Sequence, residues 1–270
     1  MNNISLDDFS KGGIELLNLK NSKGQSVYVN IFNDLGVDWE AIVDERYTKK
    51  ETALIQDIIS RRGLMLDLCC GTCRHAIILR KEGWNIIGMD LSKKLLKIAK
   101  LRMKEADVTV PLVRADMRHF PFKNNVFNAT ISMFTSFGYL PSTSEDIKSL
   151  LEVNRTFKKN GIFLLDLANR DHVIENFQEK AWAEFKPFYL LERRLLDLKT
   201  SKLISQWILI RKDTGRRKLV QHILRLYTLS QIEMLLSEAR LTVEEVYGGY
   251  AKQDFNPDAS RMIVHAQKTI

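Results

Sequence analysis

The sequence predicts an α/β fold, a doubly wound, seven-stranded, mostly parallel sheet with an inserted antiparallel β cap. Three observations carry that prediction. First, Leu64, Met65, Leu66 and Leu68 form a short apolar run holding one acid, Asp67, and halted at a glycine turn around Gly71. Such a run suits a parallel strand buried on both faces. Beyond the turn, Ala76, Ile77 and Leu79 alternate with Arg74, Arg80 and Lys81 as a helix would. Second, a further apolar strand (Ile86, Ile87, Gly88, Met89) ends at Asp90, nineteen residues after Gly71. Third, from Trp182 to Tyr227 the pattern drops to period two, with turn signals at 197–201 and 213–215. Three or four antiparallel strands are expected there, between the fifth strand and the next helix.

A strand, a tight turn and a helix start leave backbone N–H groups free for a polar ligand group. An acid ending the next strand lies where the two hydroxyls of an adenosine ribose would be met. A dinucleotide fingerprint, G-x-G-x-x-G, needs three glycines because a pyrophosphate presses on the backbone. Here Gly71 is followed by Cys73 and Ala76, so two of the three are missing. S-adenosylmethionine has no pyrophosphate and demands less, and Asp67 could face its ammonium group. An ordinary strand–turn would share L-D-L-x-x-G; Asp90 in register favours the adenosyl ligand.

Taken together, these stretches resemble the class I S-adenosylmethionine-dependent methyltransferases. L-D-L-C-C-G-T-C-R-H-A resembles the family's first motif and G-M-D-L-S (Gly88 to Ser92) its second. R-A-D-M-R (Arg114 to Arg118) resembles the adenine-contacting segment, and Phe127 to Leu140 the fourth strand with its substrate-facing turn. A small-molecule branch related to sugar N-methyltransferases is closer still, through F-T-S-F-G-Y, D-x-x-N-R-D and S-R-M-I-V-x-A. The resemblance runs from about residue 25 to 268. It implies S-adenosylmethionine held by Asp67, Cys69, Gly71, Thr72, Asp90, Leu91, Asp116, Met117, Met133 and Tyr28. Tyr139 and His172 are the catalytic candidates; a tyrosine pinning its own loop and a structural loop histidine are the bland alternatives. Cys73 stands where the family usually has glycine. An ordinary helical conformation at the first or second helical position is expected for it, with the sulfur away from an open pocket.

Residues 1–47 are read as an N-terminal lid, with Tyr28, Phe32, Trp39 and Tyr47 as aromatics able to face the site or to anchor the segment. Residues 48–180 and 228–270 make the cofactor-binding domain, and 181–227 the cap. Helical spacing predicts helices over Thr48–Arg62, Ser92–Glu105 with Ser92 as N-cap, and Ser144–Phe157 stopped by Lys158–Gly161. Strands are expected at Val108–Val113, Phe127–Met133 and Ile162–Leu167. Thr228 and Gln231 form a capping-box pattern opening a helix to Arg240. Thr242–Tyr247 and Met262–Ala266 complete the sheet, the last antiparallel by resemblance.

Apolar content of 45% and charged content of 27% over 270 residues are ordinary for a globular chain. No run reaches a membrane span, and the acidic start M-N-N-I-S-L-D-D-F does not suit a signal peptide. The three cysteines, Cys69, Cys70 and Cys73, sit within one turn and cannot form a disulfide framework, which points to a reducing cytoplasm. C-C-x-x-C with His75 lacks a second ligand pair, so no metal is expected and the cysteines are read as small packing residues. The insert holds eleven Lys and Arg against four Asp and Glu, nearly the whole net charge of +8. Adjacent pairs Arg193–Arg194 and Arg216–Arg217 would point to opposite faces of a strand, unlike a nucleic-acid platform. The expected activity is methyl transfer to nitrogen or oxygen of a small molecule. An RNA methyltransferase and a non-catalytic adenosyl-binding module are the alternatives. A homodimer is compatible with the sequence, and a membrane partner is not expected.

Overall fold

The computed structural model describes residues 27–43, 45–59 and 63–269. Among the described residues, three helices precede the sheet: α1 (Val27–Leu35), α2 (Asp38–Ile42) and α3 (Glu45–Ile58). The alternating part follows as β1 (Leu64–Leu68), α4 (Arg74–Lys81), β2 (Asn85–Asp90), α5 (Lys93–Glu105), β3 (Leu112–Arg114) and β4 (Phe127–Ser132). It continues with α6 (Thr143–Thr156), β5 (Phe157–Ala168) and α7 (Arg170–Glu175). Four strands then form a second sheet, β6 (Lys180–Glu184), β7 (Phe188–Asp197), β8 (Lys202–Arg211) and β9 (Arg217–Arg225). The chain closes with α8 (Leu229–Glu238), β10 (Leu241–Tyr247) and β11 (Arg261–Lys268).

The main sheet runs β10-β11-β5-β4-β1-β2-β3. Strands β1 to β5 pair parallel, while β11 is antiparallel to both its neighbours. This is the doubly wound, mostly parallel sheet the sequence predicts. Its order reverses between β1 and β4, so their carboxyl ends flank the crevice where open α/β sheets bind ligands. Both faces are covered, which is why the strands are apolar throughout. Leu66, Phe163 and Leu165 pack toward α6 and α8. Met65, Ile131 and Leu164 pack on the other face with Leu54, Ala76 and Leu96 of α3, α4 and α5. The second sheet is antiparallel in the order β6-β7-β8-β9. Phe188, Leu190, Leu209 and Val220 on its inner face are buried with Ile31 and Leu35 of α1.

Two element boundaries differ from expectation. β3 has three residues, beginning after Pro111, whose ring leaves no N–H for a ladder. The residues before it cap α5 instead: Val108 N–H donates to Met103 O at 3.0 Å and Asp107 takes a left-handed φ of 52°. Lys158–Gly161 is not a stop but a bulge inside β5. The register jumps from Phe127↔Phe157 to Ala129↔Ile162 across it, and Asn160 takes φ 59°. The capping box at Thr228 and the N-cap at Ser92 form as the sequence predicts.

Candidate active site

A cleft opens at the carboxyl ends of β1 and β4. Its floor is the β1–α4 turn. Gly71 there takes φ 55°, and its N–H donates to Asp90 Oδ2 at 2.9 Å. Asp90 Oδ1 accepts from Ser92 N–H at 2.7 Å. One carboxylate at the end of β2 therefore ties two turns together, and both its oxygens keep a further lone pair. Burial raises Asp90 above the usual carboxylate range, against the pull of these backbone N–H groups.

Asp67, on β1, is 1% exposed and its Oδ2 has no hydrogen-bond partner among the described residues. Burial pushes it up to about 7; the Arg74 charge opposes that rise and Asp90 adds to it. Cys69, Thr72, Leu91, Met117 and Met133 line the same cleft as Asp67, Gly71 and Asp90. Asp116 lines it too, with its carboxylate 2.6 Å from Arg118 Nη2. Burial works to raise Asp116, but the Arg118 hydrogen bonds prevail and hold it below the usual range. The side chain of Tyr28 lies outside the described residues.

Cys73 departs from expectation. It is the residue before α4, not a helical position, and adopts φ 60°, ψ 31°. A non-glycine residue in that region carries steric strain. Its sulfur does point away from the cleft. It sits under β2 beside Cys70, where a Cβ on Gly88 would approach the two sulfurs at 3.0 and 2.9 Å. Glycine at 88 therefore makes the room that cysteine at 73 occupies.

The far wall is the turn after β4. Phe134 and Thr135 both take left-handed backbone, φ 59° and 56°. Asp166, fully buried on β5, holds them there. Phe134 N–H donates to Asp166 Oδ2 at 2.8 Å and Thr135 N–H to its carbonyl at 2.9 Å. Tyr250 donates to the same Oδ2 at 2.9 Å, and Arg261 Nε to Oδ1 at 2.8 Å. Arg261 Nη2 also reaches Thr135 Oγ1 at 3.0 Å. F-T-S-F-G-Y, D-x-x-N-R-D and S-R-M-I-V thus meet on one carboxylate. Gly138 completes the turn at φ 99°; a Cβ there would lie 2.5 Å from the Arg225 carbonyl of β9.

Tyr139 lines the cleft, and burial pushes its hydroxyl up to about 12. It is therefore a neutral hydroxyl at ordinary pH. His172 is not among the lining residues. Its Nδ1 lies 3.3 Å from the Asn176 amide on α7. Asn169 caps that helix and donates to Ala259 O at 2.7 Å, which fastens α7 to the β10–β11 hairpin. Of the N-terminal aromatics, Phe32 and Trp39 line the cleft. Phe32 meets both Trp39 and Tyr139 edge-on at 5.5 Å, and Trp39 meets Phe134 at 6.0 Å. Tyr47 is 52% exposed.

Residues 65–161 match the family described as a methyltransferase domain. The β1–α4 turn and Asp90 lie in that span. That span is a methyltransferase domain by its match. Among curated proteins, the putative methyltransferase YqeM of Bacillus subtilis is 28% identical over 49% of this chain, which spans about half of that protein's length (53%). A putative methyltransferase of Geobacillus is 23% identical over 89% of this chain and 96% of its own length. Among solved structures, a S-adenosylmethionine-dependent methyltransferase from Clostridium acetobutylicum aligns at TM-score 0.76 with 18% identity, covering 90% of this chain and 98% of that one. The sugar N-methyltransferase KedS8 from Streptoalloteichus aligns at 0.62 with 17% identity, covering 82% and 87%.

One cluster beside the cleft carries no signal in the sequence. Arg74 and His75, on the first turn of α4, line the cleft and pair with Glu51 of α3. Glu51 is fully buried. Burial works against its ionisation, yet hydrogen bonds from His75 and Arg74 bring it down to about 2. His75 Nε2 donates to Glu51 at 2.8 Å, and burial followed by the Arg74 charge keeps the imidazole neutral. No local signal marks a partner 23 or 24 residues upstream. His75 stood out only as an unsupported metal ligand.

Proposed function

We propose that this protein transfers the methyl group of S-adenosylmethionine to a nitrogen or oxygen of a small molecule. The observation that carries the proposal is the enclosure of the cleft. Phe32 and Trp39 of the N-terminal helices and the Phe134–Tyr139 turn wall it with aromatic rings, under the antiparallel sheet. That is room for a compact acceptor. The likeness to the fold of KedS8, itself a sugar N-methyltransferase, supports the same reading. In it, α1 and α2 act as the lid and β6–β9 as the cap.

The chain's own groups fit the cofactor. Asp90 keeps lone pairs for the two ribose hydroxyls, Asp116 offers an acceptor for the adenine amino group, and Met117 and Leu91 give apolar contacts. Asp67 Oδ2, buried and unpartnered, suits an ammonium. S-adenosylmethionine, when bound, supplies a methyl carbon already activated by the sulfonium charge. Transfer would form the acceptor–carbon bond as the carbon–sulfur bond breaks, with the acceptor's proton released to water. The protein's part is to hold the nucleophile close and collinear and to exclude water, worth up to about 7–11 kcal/mol. Tyr139, kept protonated, donates or accepts one hydrogen bond to orient the acceptor and is not the proton acceptor at neutral pH. The test is a screen of amines, aminosugars, phenols and bulk RNA with methyl-labelled cofactor. Label in a small metabolite supports the proposal; label in RNA alone overturns it.

A further inference from the structure

The inner face of the second sheet carries two buried polar side chains beside the cleft. His222 of β9 shares the face that Val220 turns toward α1, and Ser205 of β8 stands directly opposite it. They are 6% and 1% exposed, and His222 Nδ1 and Ser205 Oγ each lack a hydrogen-bond partner among the described residues. The His222 ring meets Trp207 edge-on at 4.8 Å and lies 6.2 Å from the ring of Tyr139. Charged neighbours on the same face are engaged elsewhere. Glu192 accepts from Trp207 Nε1 at 2.8 Å, and Arg194 Nε donates to Gln178 O at 2.9 Å. Burial alone lowers His222, to about 4, so its imidazole is neutral at ordinary pH.

Tyr139 completes the row. It lines the cleft, whereas His222 does not. Burial is the one cause that raises the Tyr139 hydroxyl; no hydrogen bond or charge contributes. β9 is pinned to the turn that holds Tyr139. Arg225 N–H donates to Gly138 O at 2.9 Å, and its guanidinium reaches Leu140 O at 3.4 Å and Pro141 O at 3.2 Å. His222, on the same strand, therefore keeps a fixed place beside Tyr139. Buried polar groups are rarely left unpaired, and these three are complementary. A neutral imidazole has one acceptor nitrogen and one donor N–H, while Tyr139 has a hydrogen to give and Ser205 an oxygen to receive it. The χ2 torsion of histidine is broad and hydroxyl hydrogens rotate, so side-chain rotation suffices to join them.

We infer that His222 is a positioning residue for Tyr139: it accepts the Tyr139 hydroxyl hydrogen at one ring nitrogen and donates to Ser205 Oγ from the other. The Tyr139 oxygen then turns its lone pairs to the cleft, where it accepts from an N–H or O–H of the methyl acceptor. The second sheet thereby sets what the acceptor must bring. A primary or secondary amine or a hydroxyl has the required hydrogen; a tertiary amine lacks it. The inference rests on the reading of Tyr139 as facing a small methyl acceptor.

NMR on protein carrying isotope-labelled histidine tests the pair without cofactor or acceptor. His222, identified among the five histidines by its loss in His222→Asn, should show one neutral tautomer. Tyr139→Phe should shift the signal of its bare nitrogen, and Ser205→Ala that of its protonated one. His222 signals unmoved by Tyr139→Phe would overturn the inference. Kinetics test the consequence on the small molecule that takes label in the screen. His222→Phe should lower kcat/KM for that molecule about tenfold and leave the KM for S-adenosylmethionine within about twofold of wild type. His222→Asn, which keeps an acceptor and a donor, should restore most of the loss. In a Tyr139→Phe background, His222→Phe should cost less than about twofold, because it acts through a hydroxyl no longer present. Additive losses, or no loss in His222→Phe alone, would overturn the inference. If NMR shows the pair and no small molecule takes label, the proposed function fails and the pair stands.

Discussion

At the scale of single residues, Cys73 offers the sharpest check on the backbone. Within a helix alanine is favoured over glycine by about 1 kcal/mol. At φ 60° the order should reverse, so Cys73→Gly should be more stable than Cys73→Ala by about 1 kcal/mol in urea titrations. Cofactor affinity should not change in either, because the sulfur lies under β2. Equal stabilities would place Cys73 in an ordinary helical conformation after all. Asp67 gives a pH signature. Its folded value, about 7, lies above the ordinary 3.8, so the folded protein binds the extra proton. Its contribution to stability is complete below pH 4 and is lost as pH rises through 7, at up to about 1.4 kcal/mol per pH unit. Wild type should therefore lose stability relative to Asp67→Asn over that window in the absence of cofactor. Asp90→Ala should lower S-adenosylhomocysteine affinity tenfold or more, about 1–3 kcal/mol, through lost ribose contacts and a loosened Gly71 turn; a folded variant with unchanged affinity would discard the assignment. Asp67 and Asp90 were legible because each sits in a local strand–turn pattern. Arg74 was not, because its meaning depends on Glu51, brought in from α3 by packing that leaves no mark on neighbouring letters.

At the scale of elements, the turn after β4 depends on Asp166. Two consecutive left-handed residues, Phe134 and Thr135, cost on the order of 1–3 kcal/mol each and persist only where the surroundings fix them. Asp166, Tyr250 and Arg261 supply that fixation from β5, the β10–β11 hairpin and β11. Tyr250→Phe removes one hydrogen bond, and Arg261→Lys removes the link to Thr135. In each, hydrogen exchange at the amides of Phe134 and Thr135 should accelerate about tenfold or more, while β1 keeps its protection. If the turn exchanges no faster than in wild type, the carboxylate does not hold it. The three motif strings that converge here were readable separately. That they share one carboxylate was not, since 32 and 95 residues separate Asp166 from Phe134 and Arg261. The parallel strands were readable because burial on both faces makes them apolar. The β5 bulge and the short β3 were not, since both are set by pairing with neighbours.

At the scale of the whole molecule, the question is what a net charge of +8 does. Much of the insert's positive charge is met by carboxylates. Arg211 and Lys218 pair with Asp38 of α2, and Arg225 with Asp146 of α6. Lys212 pairs with Glu184 and Arg193 with Glu179. The pairs with Asp38 and Asp146 fasten the second sheet to α2 and α6. The outer face does show two exposed aromatics, Trp182 at 70% and Tyr189 at 41%. Stacking platforms for single-stranded nucleic acid use such rings between free cations. Here the cation over Tyr189, Lys212, is itself paired with Glu184. We therefore expect only weak electrostatic binding to RNA, because few cations are left unpaired to neutralise phosphates. Titrating tRNA and duplex RNA from about 20 to 200 mM salt should show affinity that disappears near physiological ionic strength, at about 150 mM. Trp182→Ala should leave that weak binding unchanged. Submicromolar binding that survives physiological salt and is lost in Trp182→Ala would make the outer sheet a nucleic-acid surface, and methyl transfer to the bound RNA would replace the small-molecule acceptor.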